Sequence, residues 1–410
     1  MDIDIQYGQA SQRLRVDEGR FIGNVSPKNT PADTDSVARS LSNPVGFADL
    51  NSFLEGRKRI LVVVNDHTRA TPSLTVLKVL NLKDKEVVTI IATGTHRSPN
   101  ARELPVILGN VSPPYGGMVA VHDSRSESSL RSLGETSRGT KLFMNSHLFD
   151  ADGIVAVGSV EPHYFAGFTG GRKFFLPALA GFRSVEMNHA LALDPRVRVL
   201  ALDGNPVHED FMDALRIFNR QQDIFSIQLV LNARQQISYT NSGNVVDSFT
   251  DAVKHAKEVY TSKLKNKSDI VIAVTKPPLD LDLYQSHKAI ENVKLALKDD
   301  GVLILVSKCL DGIGNREFYD LLAGGNEAID KARESGSFGS HKAVKFHELL
   351  ERAHVFAVTG LPPKVLRTIG VESFADVQNA LDKATSITSK DSHVLVVDDA
   401  GVVVPVPEER

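Results

Sequence analysis

Four stretches of this chain hold residue types that can move protons, grip anions or bind a metal. The densest covers residues 161–173, Glu161-Pro162-His163-Tyr164-Phe165-Ala166-Gly167-Phe168-Thr169-Gly170-Gly171-Arg172-Lys173, with Met187-Asn188-His189 further on. Gly167, Gly170 and Gly171 let the backbone take positive φ and approach a ligand closely. Arg172 and Lys173 bring cationic donors suited to phosphate or carboxylate. His163 and His189 can each serve as base, acid or metal ligand. The plain alternative is a tight turn with a surface Arg-Lys pair and a core histidine on an amphipathic helix. Asp66-His67-Thr68-Arg69 is the second stretch. Its aspartate can accept from a ribose hydroxyl, orient a histidine, or merely cap a helix, and Arg69 can hold an anion. The third, Thr93-Gly94-Thr95-His96-Arg97, surrounds an imidazole with hydroxyls, a setting for proton transfer near neutral pH. No His-x-Glu, His-x-x-x-His or Cys-x-x-Cys pairing lies around these positions, so a zinc site made by the protein alone is poorly supported. A metal here takes most of its ligands from something bound.

The fourth stretch runs from Lys276 through Pro277-Pro278-Leu279-Asp280 to Tyr284-Gln285-Ser286-His287-Lys288. Asp282 and Gln285 have the spacing of an N-cap and its third helical residue, which starts a helix at 282. Its apolar stripe is Ile290, Val293 and Leu297, so Lys288 falls opposite and Gln285 on the flank. Both then face solvent or a second domain.

The elements that position these residues are legible as apolar runs. Residues 59–64, 86–92 and 153–160 read as buried strands, and the first three stretches follow them directly. Open α/β sheets place ligands just past the carboxyl ends of their strands, so Asp66, His96 and His163 are expected along one sheet edge. Apolar runs alternate with helical spacing at 72–82, 101–108 and 251–259, the pattern of a parallel sheet covered by helices. After the polar segment 265–268 the pattern restarts with a strand at 269–274, a helix at 282–297 and a strand at 302–306. The expected fold is therefore α/β, two domains with mainly parallel sheets and an active-site cleft between them. Residues 1–268 form the first domain and 269–410 the second. The final strand-like segment, 394–406, is free to return to the first.

Composition narrows the function. A chain of 410 residues exceeds one comfortable core. Its 47 basic and 50 acidic residues give a net charge of -3, with no block of like charge, which argues against nucleic acid or an anionic membrane as partner. The single cysteine, Cys309, excludes an intrachain disulfide; it reads as a buried or site-lining thiol rather than a nucleophile. The acidic start lacks the charge and apolar core of a secretory signal, and no apolar run approaches the ~20 residues of a membrane span. A soluble cytoplasmic protein is expected. No Gly-x-Gly-x-x-Gly fingerprint follows the first strands, which disfavours a nicotinamide dehydrogenase.

Taken together, Asp66-x-x-Arg69, Gly94-Thr95-His96-Arg97, Glu161-Pro162-His163, Gly170-Gly171-Arg172-Lys173, Asn188-His189, Pro278-Leu279-Asp280, Tyr284-Gln285 and Lys288, in this order and spacing, resemble the nickel-pincer-nucleotide-dependent lactate racemases and their relatives. The resemblance implies a racemase or epimerase of a 2-hydroxy acid. It implies a nickel-bearing pyridinium mononucleotide with two sulfur-containing arms, one joined covalently to Lys173, with His189 completing the nickel's square plane. Asp66, His67, Thr68 and Arg69 would bind the cofactor. His96 and His163 would be the two acid/bases while hydride leaves C2 for the pyridinium and returns. Tyr284, Gln285 and Lys288 would hold the substrate. The partners implied are a small 2-hydroxy acid and the enzymes that make the cofactor. One departure is Lys276-Pro277-Pro278, where Lys276 either favours a diacid or polyhydroxy acid or faces solvent. A non-catalytic nucleotide- or metabolite-binding protein on the same scaffold is the competing reading.

Overall fold

The computed structural model describes residues 1–109, 112–220 and 223–408. The chain forms two compact units, one of Lys28–Glu161 and Ala166–Val259, the other of Met1–Pro27, Pro162–Phe165 and Tyr260–Arg410.

The first unit is built on a six-stranded sheet in the order Ile237–Gly243, Ile224–Leu231, Gly153–Ser159, Arg59–Asn65, Glu86–Ala92, Met118–Val121. All neighbours run parallel except Ile224–Leu231 with Ile237–Gly243. Every residue of Gly153–Ser159 is buried, as a central parallel strand covered on both faces requires. Val62, Val64, Val155, Val157, Ile227 and Leu229 pack with Phe53, Leu77 and Leu108 from the flanking segments into one core. The expected helices at 72–82 and 101–108 are shorter, Ser73–Leu77 and Leu104–Leu108, and the one at 251–259 is longer, Val245–Tyr260.

The second unit holds a wholly parallel six-stranded sheet: Glu372–Ser373, His354–Val358, Leu297–Val306, Ser268–Val274, Val394–Val397, Phe21–Val25. One expectation is corrected here. The first 27 residues do not belong with the rest of the first domain. Phe21–Val25 is an edge strand of this sheet, and Ile5, Leu14 and Val16 of the hairpin Asp2–Tyr7/Ala10–Arg15 pack with Ile270, Ile272, Ile304 and Val396. The end of the chain, which the sequence left free to return to the first domain, pairs with residues 21–25 and 261–264, all of the second unit. Val394–Val397 lies between Ser268–Val274 and Phe21–Val25, and Val404–Pro407 pairs with Thr261–Leu264. That last pairing also draws 260–268 into the second unit, ahead of the expected boundary. The cause is common to all of these: alternation marks a strand without naming its partner. Among the described residues, no helix is long and apolar enough to cross a membrane.

Candidate functional site

The register of the first sheet sets Asn65 beside Ala92, so the strands Arg59–Asn65 and Glu86–Ala92 end level and release their loops together. Asp66 and His96 meet there. The His96 Nδ1–H donates to Asp66 Oδ2 at 2.7 Å, while the Thr68 hydroxyl and amide donate to Oδ1 at 2.7 and 3.1 Å. Asp66 is 4% exposed, and the His96 side chain 32%. Burial pushes the Asp66 carboxyl up, but His96, Thr68 and Arg69 outweigh it and bring the pKa down to about 2. The group is a carboxylate throughout the neutral range. It fixes the proton of His96 on Nδ1 and leaves Nε2 as the nitrogen that can exchange a proton. Of the three sequence alternatives for Asp66, orienting a histidine is the one seen, and the helix that follows takes no cap from it.

The neighbouring residues divide. The His67 Nδ1 lies 3.9 Å from Glu103, whose carboxylate Arg97 grips with two nitrogens at 2.7 Å each; desolvation lowers the His67 pKa. Arg69 sits 3.6 Å from Glu161, both side chains nearly buried. Thr71, Asn65 and Ser159, which the sequence did not single out, join in a polar chain across the same strand ends, at 2.9 and 2.8 Å.

The glycine turn is locked from within, and one expectation falls. Arg172 is 1% exposed and donates to the carbonyls of Ala166, Phe168 and Gly170 and to His208 Nδ1, at 2.6, 3.0, 3.2 and 2.9 Å. It therefore shapes its own loop instead of offering a fork to an anion. Burial lowers its pKa to about 9 and, with Arg172 alongside, that of His208 to about 3, so His208 is the neutral acceptor. Gly167 (φ +74) has no room for a side chain: an added Cβ would lie 2.2 Å from the Ala201 carbonyl. Lys173 follows in the short helical turn Gly171–Phe174, half-buried, its Nζ 5.9 Å from the centre of the Phe211 ring. His189 is buried in the last turn of the helix Phe182–Ala190. Its neighbour Asn188 donates to Asp210 at 2.8 Å, and Asp210 also accepts from Thr136 and Thr140.

In the second unit Asp282 caps the helix Leu283–Val293, accepting from the Gln285 amide at 2.6 Å, as its spacing predicts. Of the two surroundings expected for Gln285 and Lys288, solvent or a second domain, solvent is excluded: they are 6% and 7% exposed. The Gln285 Oε1 is buried with no hydrogen-bond partner among the described residues, an acceptor left for something else to satisfy. Lys342, which the sequence gave no reason to notice, donates to the Tyr284 carbonyl and lies 3.4 Å above that ring. Lys276, for which a substrate tail and solvent were the two alternatives, donates to Asp398 at 2.7 Å. Cys309 is buried and its thiol is pushed up to about 11 by that burial, which makes it no nucleophile. His163 is 6% exposed, stacked at 5.1 Å on Tyr164 and edge-on at 4.5 Å to Phe165.

The donor set accommodates a metal only in part. Among the described residues no three His, Cys, Asp or Glu side chains gather into a metal shell. A metal at His189 must take its other donors from a bound group, which the soft sulfur and carbon donors of a pincer ligand can supply.

Residues 7–199 match the model of the lactate racemase N-terminal domain, and residues 263–406 that of the C-terminal domain. The chain is 30% identical to the lactate racemase of Thermoanaerobacterium thermosaccharolyticum, covering 100% of both, and 27% identical to that of Lactiplantibacillus plantarum, covering 98% of this chain and 99% of the relative. The lactate racemase apoprotein structure from Thermoanaerobacterium thermosaccharolyticum superposes over 100% of both chains with a TM-score of 0.90 at 29% identity. A Thermotoga maritima crystal structure covers 93% of this chain and shares the fold alone, at a TM-score of 0.74 and 17% identity. Fold and relatives together define an α/β isomerase, a racemase. More narrowly, the chain belongs to the lactate racemase family.

Proposed function

We propose that this racemase inverts C2 of a small 2-hydroxy acid, with lactate the first candidate, on a nickel-pincer nucleotide joined to Lys173. The observation that carries the reading is the Asp66–His96 pair, a carboxylate-oriented imidazole with Nε2 open for exchange. Racemisation needs a proton carrier for each face of the substrate, and His96 and His163 fill those two roles. When bound, the cofactor supplies an acceptor for the C2 hydrogen with its electron pair, which spares the enzyme a direct deprotonation of a weakly acidic C–H. His189 adds the imidazole that a nickel pincer lacks, and the 66–69 loop anchors the nucleotide. Lys173 would hold the cofactor covalently through its side-chain nitrogen. Lys288 holds the substrate carboxylate as an ion pair, and Gln285 and Tyr284 orient the rest. The working partners are then the substrate and the enzymes that build the cofactor, in the cytoplasm.

The test is a panel of enantiopure 2-hydroxy acids incubated with cofactor-loaded protein and followed by optical rotation. Loss of rotation for lactate or a close analogue, with near-stoichiometric nickel and a mass adduct on Lys173, is the expected result. Full activity of Lys173→Ala would overturn it. Binding without exchange of the C2 hydrogen would make the chain a ligand-binding protein on the racemase scaffold.

A further inference from the structure

Pro162–Phe165 is a four-residue segment that groups with the second unit, although the chain on either side of it belongs to the first. Two of its side chains pack against one imidazole of that unit. The Tyr164 hydroxyl and His341 Nε2 are 2.9 Å apart, both residues almost wholly buried, with rings stacked at 6.2 Å and 11°. Phe165 meets the same imidazole edge-on at 5.5 Å. Tyr164 and Phe165 are also the two rings against which His163 rests, one on its face and one on its edge. Burial holds the Tyr164 phenol well above its ordinary pKa, so it keeps its proton and the bond joins a neutral phenol to the imidazole.

We infer that Tyr164 and His341 are positioning residues for His163: the buried phenol–imidazole bond fixes the two aromatic rings that set the plane and tilt of the His163 imidazole. The inference rests on the reading of His163 as one of the two proton carriers. His341 lies on the helix Ser340–Arg352 in the second unit, as do Tyr284, Gln285 and Lys288 on theirs. One acid/base and the residues proposed to hold the carboxylate are thus built into a single compact unit. The bond removes the freedom of His163 to turn relative to the groups that orient the substrate, the kind of small misplacement that costs about a hundredfold in rate.

The test is a double-mutant cycle on the cofactor-loaded enzyme with Tyr164→Phe, which deletes only the hydroxyl, His341→Leu, and the pair. Each single variant is expected to lose about tenfold or more in kcat with KM within about twofold, and the pair no more than the worse single. His341→Gln, able to accept from the phenol or donate to it, recovers most of the His341→Leu loss. Nickel content and the Lys173 adduct stay as in the parent, which separates positioning from loss of fold or cofactor. Unchanged kcat in Tyr164→Phe, losses that simply add, or no recovery in His341→Gln would overturn the inference. His163→Ala separates the two layers. An active His163→Ala protein defeats the acid/base reading and this inference together. An inactive one beside an unaffected Tyr164→Phe defeats the inference alone.

Discussion

Asp66 has two competing influences on its pKa, and their balance sets what His96 can do. Burial raises the carboxyl's pKa; His96, Thr68 and Arg69 together outweigh it and hold the group ionised. Replacing it by asparagine keeps the shape but lets the amide donate to Nδ1, which moves the imidazole proton to Nε2, the wrong nitrogen for a base. Asp66→Asn is therefore expected to lower kcat by about two to three orders of magnitude with the Lys173 adduct still formed, measured by racemisation rate and intact mass. The same carboxyl predicts a stability trend. Its folded pKa lies below the ordinary 3.8, so its contribution is present above about pH 4 and is lost as pH falls toward about 2. Thermal midpoints followed from about pH 5 to 2 should fall less steeply in Asp66→Asn than in the parent, once the variant's own offset is removed. At this scale the sequence was informative where strand ends bring polar loops together: Asp66 and His96 were both visible as residues just past buried strands. It was silent where a partner comes from far along the chain. Nothing near Lys276 announces Asp398, and nothing near Tyr164 announces His341.

The loop of residues 166–173 works as an element because one guanidinium holds three of its carbonyls. Arg172→Met leaves those oxygens without their donor in a place water does not reach, at about 1–3 kcal/mol each. The expected outcome is a loss of at least about 3 kcal/mol in denaturant unfolding, and no accumulation of the Lys173 adduct in protein that does fold. Arg172→Lys keeps the charge, loses the fork, and falls between the two. Gly167→Ala tests the backbone instead. Positive φ and the Ala201 carbonyl together make it destabilising by about 2 kcal/mol or more, read in the same unfolding experiment. The glycines of this loop were legible because their chemistry is local. The role of Arg172 was not, because an Arg-Lys pair beside glycines looks the same whether it grips an anion or its own backbone; burial decides, and burial is a property of the whole fold. The helix Leu283–Val293 shows the same division. Its start at Asp282 was readable from the cap spacing, whereas its polar face proved buried.

At the scale of the whole molecule, the chain closes its second unit with its own beginning. Strand alternation in residues 1–25 and the α/β rhythm after 269 were both legible, yet which sheet the first strands join depends on contacts hundreds of residues apart, and the hydrophobic period carries no such address. The consequence is testable by removing residues 1–27. The deletion strips Phe21–Val25 from the sheet edge and bares Val394–Val397, a strand whose four residues are all buried. It takes Ile5, Leu14 and Val16 out of the core they share with Ile270 and Ile304. It also removes Gln12 and Arg15, which bond to Val377 and Gln378 on the helix Val377–Ile387 at 2.9 and 2.8 Å. Each buried apolar side chain lost is worth about 1.5–3 kcal/mol, so three of them approach the whole stability of a typical domain. None of these contacts touches the sheet whose strand ends lead into Asp66 and His96. The truncated protein is therefore expected to lose protection selectively: amide hydrogen exchange should rise across the strands Ser268–Val274, Leu297–Val306 and Val394–Val397 and stay near the parent's level across Arg59–Asn65, Glu86–Ala92 and Gly153–Ser159. Uniform exchange in both sheets would mean that the two units unfold as one, and unchanged exchange in the second would mean that the first 27 residues are dispensable to it.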